Sequence, residues 1–167
     1  MLKIALFLAL FAPMIASAGD PTQERNEAVA TVSTSVVTLQ KMESQCVNAK
    51  TIAASTAKNA IDGWRMRNDV FLYTQSGYLN AYFKGYAKEY GEAAAQTQRK
   101  ALNADINAAA DGNIKVLLDK KNLKQACPSF FEALNKGKYD ININYPYYPT
   151  LKEMVELLGL ADRLPKN

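Results

Sequence analysis

Three groupings of side chains in this sequence have types and spacings that could do chemistry. In the first, Ser55-Thr56-Ala57-Lys58 places a hydroxyl and an amine three residues apart, on one face of a helix, where a lysine could activate a serine nucleophile. The S-D-N and K-T-G strings that complete such a site are absent, and so is a strand pattern to carry them. The plainer expectation is Ser55 as a helix N-cap and Lys58 in solvent. In the second, Glu89 and Glu92 form a carboxylate pair expected on one helix face, the kind of pair that cleaves glycosidic bonds. No pattern around either marks it as buried, and exposed glutamates are the norm. In the third, Asp140-x-Asn142-x-Asn144 sets oxygens at positions one, three and five of a calcium loop. Tyr145 then stands where glycine is needed and Leu151 where a bidentate glutamate is needed. Asp105-x-Asn107 ahead of Asp111-Gly112 has the wrong spacing.

The chain contains no histidine, which removes the commonest general base and the commonest transition-metal ligand. Ser-His-Asp and Cys-His catalysis are excluded. No catalytic set, metal site or cofactor is expected, and the protein is read as a non-enzyme.

Two segments have the composition of recognition surfaces. Trp64-Arg65-Met66-Arg67-Asn68-Asp69 is the densest mixture of aromatic and guanidinium groups, and Trp and Arg are frequent interface hot spots. The alternative is Trp64 in the core, with Arg65 and Arg67 paired to local acids. Tyr78, Tyr82, Tyr86 and Tyr90 form a ladder with a step of four, which drifts slowly around a helix. Some of these rings must pack inside and others must reach the surface. The candidate binding residues are therefore Trp64, Arg65, Arg67, Tyr78, Tyr82 and Tyr86.

Helices must position these groups. Val29, Val32, Val36, Leu39 and Cys46 make a near-heptad stripe that predicts a first helix over about 22–49. A second is expected from Ser55 through Ala60, Ile61, Trp64, Phe71 and Leu72, with a break at Ser76-Gly77. Helix is expected again from Tyr78, weakened by Gly85 and Gly91, which would allow close helix crossing. Glu92–Asp111 is rich in helix formers, with Gly112 as its stop. Ile114–Leu118 is a short apolar run. Pro128 fits the first turn of a helix carrying Phe130, Phe131 and Leu134, ended by Gly137. Residues 139–145 alternate like a strand, but no partner strand is evident, so 139–149 is expected as an extended crossover. Thr150 and Glu153 have the spacing of a capping box ahead of a last helix with a Leu151, Met154, Val155, Leu158 stripe, Gly159 as its stop and Leu160 folding back. The fold expected is all-α: a single-domain bundle of five or six helices.

The N-terminus sets the compartment. Lys3, the nine apolar residues Ile4–Ala12, and Ala16-Ser17-Ala18 read as a cleavable signal peptide over 1–18, leaving a domain over 19–167. The apolar run falls short of the roughly 20 residues needed to span a bilayer. A periplasmic or secreted address follows, with no stable membrane insertion after cleavage. Cys46 and Cys127, the only cysteines, are then expected to pair and tie the first helix to the fourth or fifth. Charge gives little more. The chain has 20 Lys and Arg against 16 Asp and Glu, and loss of Lys3 leaves a net charge of +3 on the mature chain. The two signs are interspersed, as on a solvated surface rather than a nucleic-acid groove. Lys115, Lys120, Lys121, Lys124, Lys136 and Lys138 are the largest basic concentration and are expected to face water.

The function expected is binding. The partner would be another protein in the cell envelope, such as an enzyme or toxin held in check. The alternatives are an envelope hydrolase using Ser55 and Lys58 or a carboxylate pair, and a binder of a small apolar ligand.

Overall fold

The computed structural model describes residues 22–118 and 122–165; the expected leader over 1–18, Lys120 and Lys121 lie outside these. The described residues form six α-helices and one 3-10 turn, with no strand. The helices are α1 (Thr22–Asn48), α2 (Ala54–Arg67), α3 (Asp69–Tyr90), α4 (Glu92–Leu117), α5 (Leu123–Asn135) and α6 (Tyr148–Leu157), and the turn is Ala161–Arg163. None of the helices is long and apolar enough to cross a membrane.

The long helix α1 is the spine and touches each of the other five. Its expected stripe is the reason: Val29, Val32, Leu39 and Cys46 are buried, joined by Ala28 and Met42. Its buried hydroxyls are satisfied within the helix, Ser33 Oγ donating to the Val29 carbonyl and Thr38 Oγ1 to that of Thr34, both at 2.8 Å. The core divides into two clusters. One gathers Leu39, Met42, Ile61, Trp64, Phe130, Phe131 and Leu134 around Cys46 and Cys127, between α1, α2 and α5. The other gathers Ala28, Val32, Val70, Phe71, Ile141, Tyr148, Leu151 and Val155, where α6 and the crossover lie on α1 and α3. Leu72 packs against both. The cysteines pair as expected, joining α1 to α5 with Cα atoms 5.7 Å apart.

Several boundaries differ from those the sequence predicts, each for a local reason. The break after α2 falls at Asn68, and α3 runs unbroken through Ser76 and Gly77. Asn68 is fully buried and uses its side chain outside the helix ladder: Nδ2 donates to the Trp64 carbonyl at 2.7 Å, and Oδ1 accepts from the Ile141 amide at 2.7 Å. That long-range tie outweighs the weak local penalty of Gly77. The turn between α3 and α4 is made at Gly91, with φ of +89°, a region costly for any other residue. Gly85 sits in open space and brings no helix close. Gly112 does not stop α4; the helix continues to bury Ile114. Pro128 lies inside α5, not in its first turn. The helix starts earlier, capped by Asn122, whose side chain accepts from the Gln125 amide at 3.1 Å.

The crossover is a chain of turns, not an extended segment. Tyr145 N bonds the Asn142 carbonyl at 2.7 Å, and Tyr147 adopts the left-handed conformation. Thr150 is already inside α6 and caps nothing. Its hydroxyl donates to Glu24, while Glu153 pairs with Arg25 at 3.0 Å, so both side chains of the expected capping box reach across to α1. The glycine stops expected after α5 and α6 hold. Past α5, Lys138 N bonds Ala133 O and Gly137 N bonds Leu134 O; past α6, Leu160 N bonds Val155 O and Gly159 N bonds Glu156 O. Both are the paired bonds of a Schellman turn.

Candidate functional site

The end of α2 is a structural clasp. Trp64 is 1% exposed, and its Nε1 donates to the Tyr139 carbonyl at 2.8 Å. Arg67 bonds both oxygens of Asp140, at 2.7 and 3.1 Å, and the Leu134 carbonyl at 2.6 Å. Gly137 leaves the room this needs, because a Cβ there would stand 2.8 Å from Asp140 Oδ2. Trp64 is therefore internal and forms no exposed contact surface, whereas Arg67 holds the crossover with its side chain still 37% exposed. Arg65 faces outward, 3.8 Å from Asp62, with Met66 exposed beside it.

The groupings with possible chemistry are dispersed. Ser55 is exposed at the start of α2, where Ala53 takes the N-cap position, and Lys58 bonds Asp62 one turn on. Glu89 lies in the last turn of α3 and Glu92 opens α4, so the Gly91 turn separates two carboxylates expected on one helix. Asp140 is engaged by Arg67, and the Asn142 side chain accepts from the Asn144 amide at 2.9 Å. Among the described residues no cluster of acids or cysteines could hold a metal ion.

The groups left unused by the fold collect on α3 and α4. From residue 75 to residue 105 only Phe83 and Ala95 are buried. Tyr78 packs inward, its hydroxyl donating to Asn26 Oδ1 at 2.7 Å. Beyond it the ladder climbs outward, with ring centres 6.0 Å apart from Tyr82 to Tyr86 and 4.7 Å from Tyr86 to Tyr90. Partial burial pushes the Tyr82 hydroxyl upward in pKa, helped by its neighbour Tyr86 and opposed by a bond with Gln98. Tyr90 stands 51% exposed near the tip.

Beside the ladder, α1, α3 and α4 enclose a groove of about 350 Å³. Val36, Leu79, Leu102 and Ile106 give it an apolar floor. Asn80 on the α3 bank faces Asn103 and Asn107 on the α4 bank. At one end Arg99 lies over the Phe83 ring, 4.4 Å from its centre, an arrangement favoured by the ring's negative face. Arg99 is the only charged residue in the lining and has no ion pair among the described residues. At the other end Lys41 bonds Asp111 at 2.6 Å and the Asn107 carbonyl at 3.3 Å, so its charge is already matched. Sequence reasoning did not mark this groove. Its trace is visible in α4: Arg99, Asn103 and Asn107 recur every four residues beside Leu102 and Ile106, a polar rail along an apolar stripe.

The chain matches no family model, and no curated protein or solved structure shows significant similarity to it.

Proposed function

We propose that this chain is an exported, non-catalytic binding protein whose partner is another protein of the cell envelope or beyond. One observation carries the proposal: the α3–α4 hairpin carries the outer rings of the tyrosine ladder, Tyr82, Tyr86 and Tyr90, beside an apolar groove whose guanidinium, Arg99, has no ion pair among the described residues. Aromatic and arginine side chains of this kind anchor protein interfaces. The leader over 1–18 supports the address, as does the Cys46–Cys127 disulfide, a bond that persists in oxidising compartments.

Affinity capture tests the reading. The oxidised chain from residue 19 is immobilised and exposed to envelope and secreted fractions of its source cells. A protein retained by the wild type and lost with the Tyr86→Ala, Tyr90→Ala double variant is the expected result. Retention of nothing would sink the proposal. So would labelling of the wild type by an acyl-trapping β-lactam probe that disappears in Ser55→Ala, because Ser55 would then be a nucleophile.

A further inference from the structure

We propose that the α1–α3–α4 groove receives an extended segment of the partner in which an apolar side chain adjoins a carboxylate. This rests on the protein-binding reading above and names what the partner presents.

The first argument is charge. Of the thirteen lining residues only Arg99 is ionised, and the nearest carboxylate on the polar rail, Asp111, is held by Lys41. The guanidinium offers a fork of donors above the Phe83 ring with no acid to receive them. A carboxylate is the group that matches it in both charge and shape.

The second argument is the pattern of amides. A helix satisfies its own backbone and gains nothing from amides along the walls of a groove. An extended segment brings unpaired N–H and C=O groups on both edges. Asn80 on one bank, with Asn103 and Asn107 on the other, can both donate and accept. The Asn80 and Asn103 side chains make no internal hydrogen bond among the described residues, and Asn107 uses only its NH2 group, on the Asn103 carbonyl at 2.8 Å.

The third argument is shape. Small-molecule sites of about 300–1,000 Å³ bury most of their ligand. This groove has a comparable volume but lies open along its length, with Ser76, Asn80, Arg99, Asn103 and Asn107 all exposed. It suits side chains entering from a chain that remains partly in water.

Amide chemical-shift titration of the oxidised protein tests the proposal with defined probes. These are a capped Ser-Leu-Glu-Val-Ser peptide, its Gln-for-Glu counterpart, and octanoate. The acidic peptide is expected to shift amides around Leu79, Phe83, Arg99 and Asn103. Affinity should fall about tenfold with the Gln peptide, and by the same factor with the acidic peptide on Arg99→Gln, the two losses not adding. Lys152→Gln, which removes a charge from α6, should leave binding unchanged. Equal binding of the two peptides, shifts centred elsewhere, or no shift at millimolar peptide would each overturn the proposal. So would octanoate shifting the same amides more tightly than the peptide, which would make the groove a site for a small amphiphile. A partner captured equally by wild type and Arg99→Gln would overturn this inference and leave the binding reading standing. Failure of both capture and peptide binding would end both.

Discussion

The two ends of this molecule are built to different rules. Around Cys46 and Cys127, nearly every large side chain is spent on the interior: α5 alone buries Ala126, Cys127, Phe130, Phe131 and Leu134 within 13 residues. The α3–α4 hairpin buries only Phe83 and Ala95 over residues 75–105 and leaves rings, amides and a guanidinium outside. The closed end also holds the buried polar ties, Trp64 to Tyr139 and Asn68 to Ile141. The tightly packed core and the surface proposed for recognition are thereby separated in space. The hairpin can carry exposed aromatic surface because the fold does not depend on how that surface packs.

The largest test of this division is the disulfide. Its ends are 81 residues apart, and replacing both cysteines by alanine should cost about 4–5 kcal/mol, read from urea unfolding. A loss confined to the hairpin, with α2 and α5 intact by hydrogen exchange, would break the contrast. Next is a matched pair of rings. Phe131→Ala in the closed end should cost about 3–5 kcal/mol. Phe83→Ala should cost well under half as much, because the open groove admits water to the gap. Equal losses would show that the hairpin is as tightly built as the core.

Tyr145 tests the closed region through pH. Burial pushes its hydroxyl up to about 12, against the lowering effect of its bond with Ser35. In the folded protein the phenol therefore stays neutral beyond the pH at which it ionises in the unfolded chain. The stability this represents, about 2–3 kcal/mol, is complete below pH ~10 and is lost as pH rises from ~10 toward ~12. Stability curves at alkaline pH should show this decline in the wild type and a shallower one in Tyr145→Phe. The smallest effect concerns the end of α1, where Lys50 occupies a left-handed conformation with φ of 54°. Lys50→Gly should raise stability by about 1 kcal/mol, seen as a higher midpoint at unchanged slope.

Much of the closed end was legible in the sequence and little of the open end. The α1 stripe placed that helix to within a residue, and compartment plus count paired the cysteines. Gly137 and Gly159 were readable as stops because a left-handed turn after a helix calls for glycine. What escaped were choices made by distant partners. Asn68 breaks a helix because Asp140 and Ile141, more than 70 residues on, claim its side chain. Thr150 and Glu153 have capping-box spacing, yet Glu24 and Arg25 draw them across to α1. Trp64 looked like part of a contact surface, since composition does not reveal that a later crossover will cover it, nor that Arg67 will be tied to Asp140. The groove escaped for a related reason: its lining comes from three helices, and only the α4 share repeats regularly enough to be seen.

The Gly91 turn has a consequence for how the protein responds to proteases. It joins two helices at an exposed bend, and it lies between Cys46 and Cys127 in the chain. A protease that cuts there leaves the halves covalently joined through the disulfide. Such a nicked molecule would migrate as one species until reduced and then separate into two. The α3–α4 hairpin can thus be severed at its tip without releasing either helix from the body that anchors it.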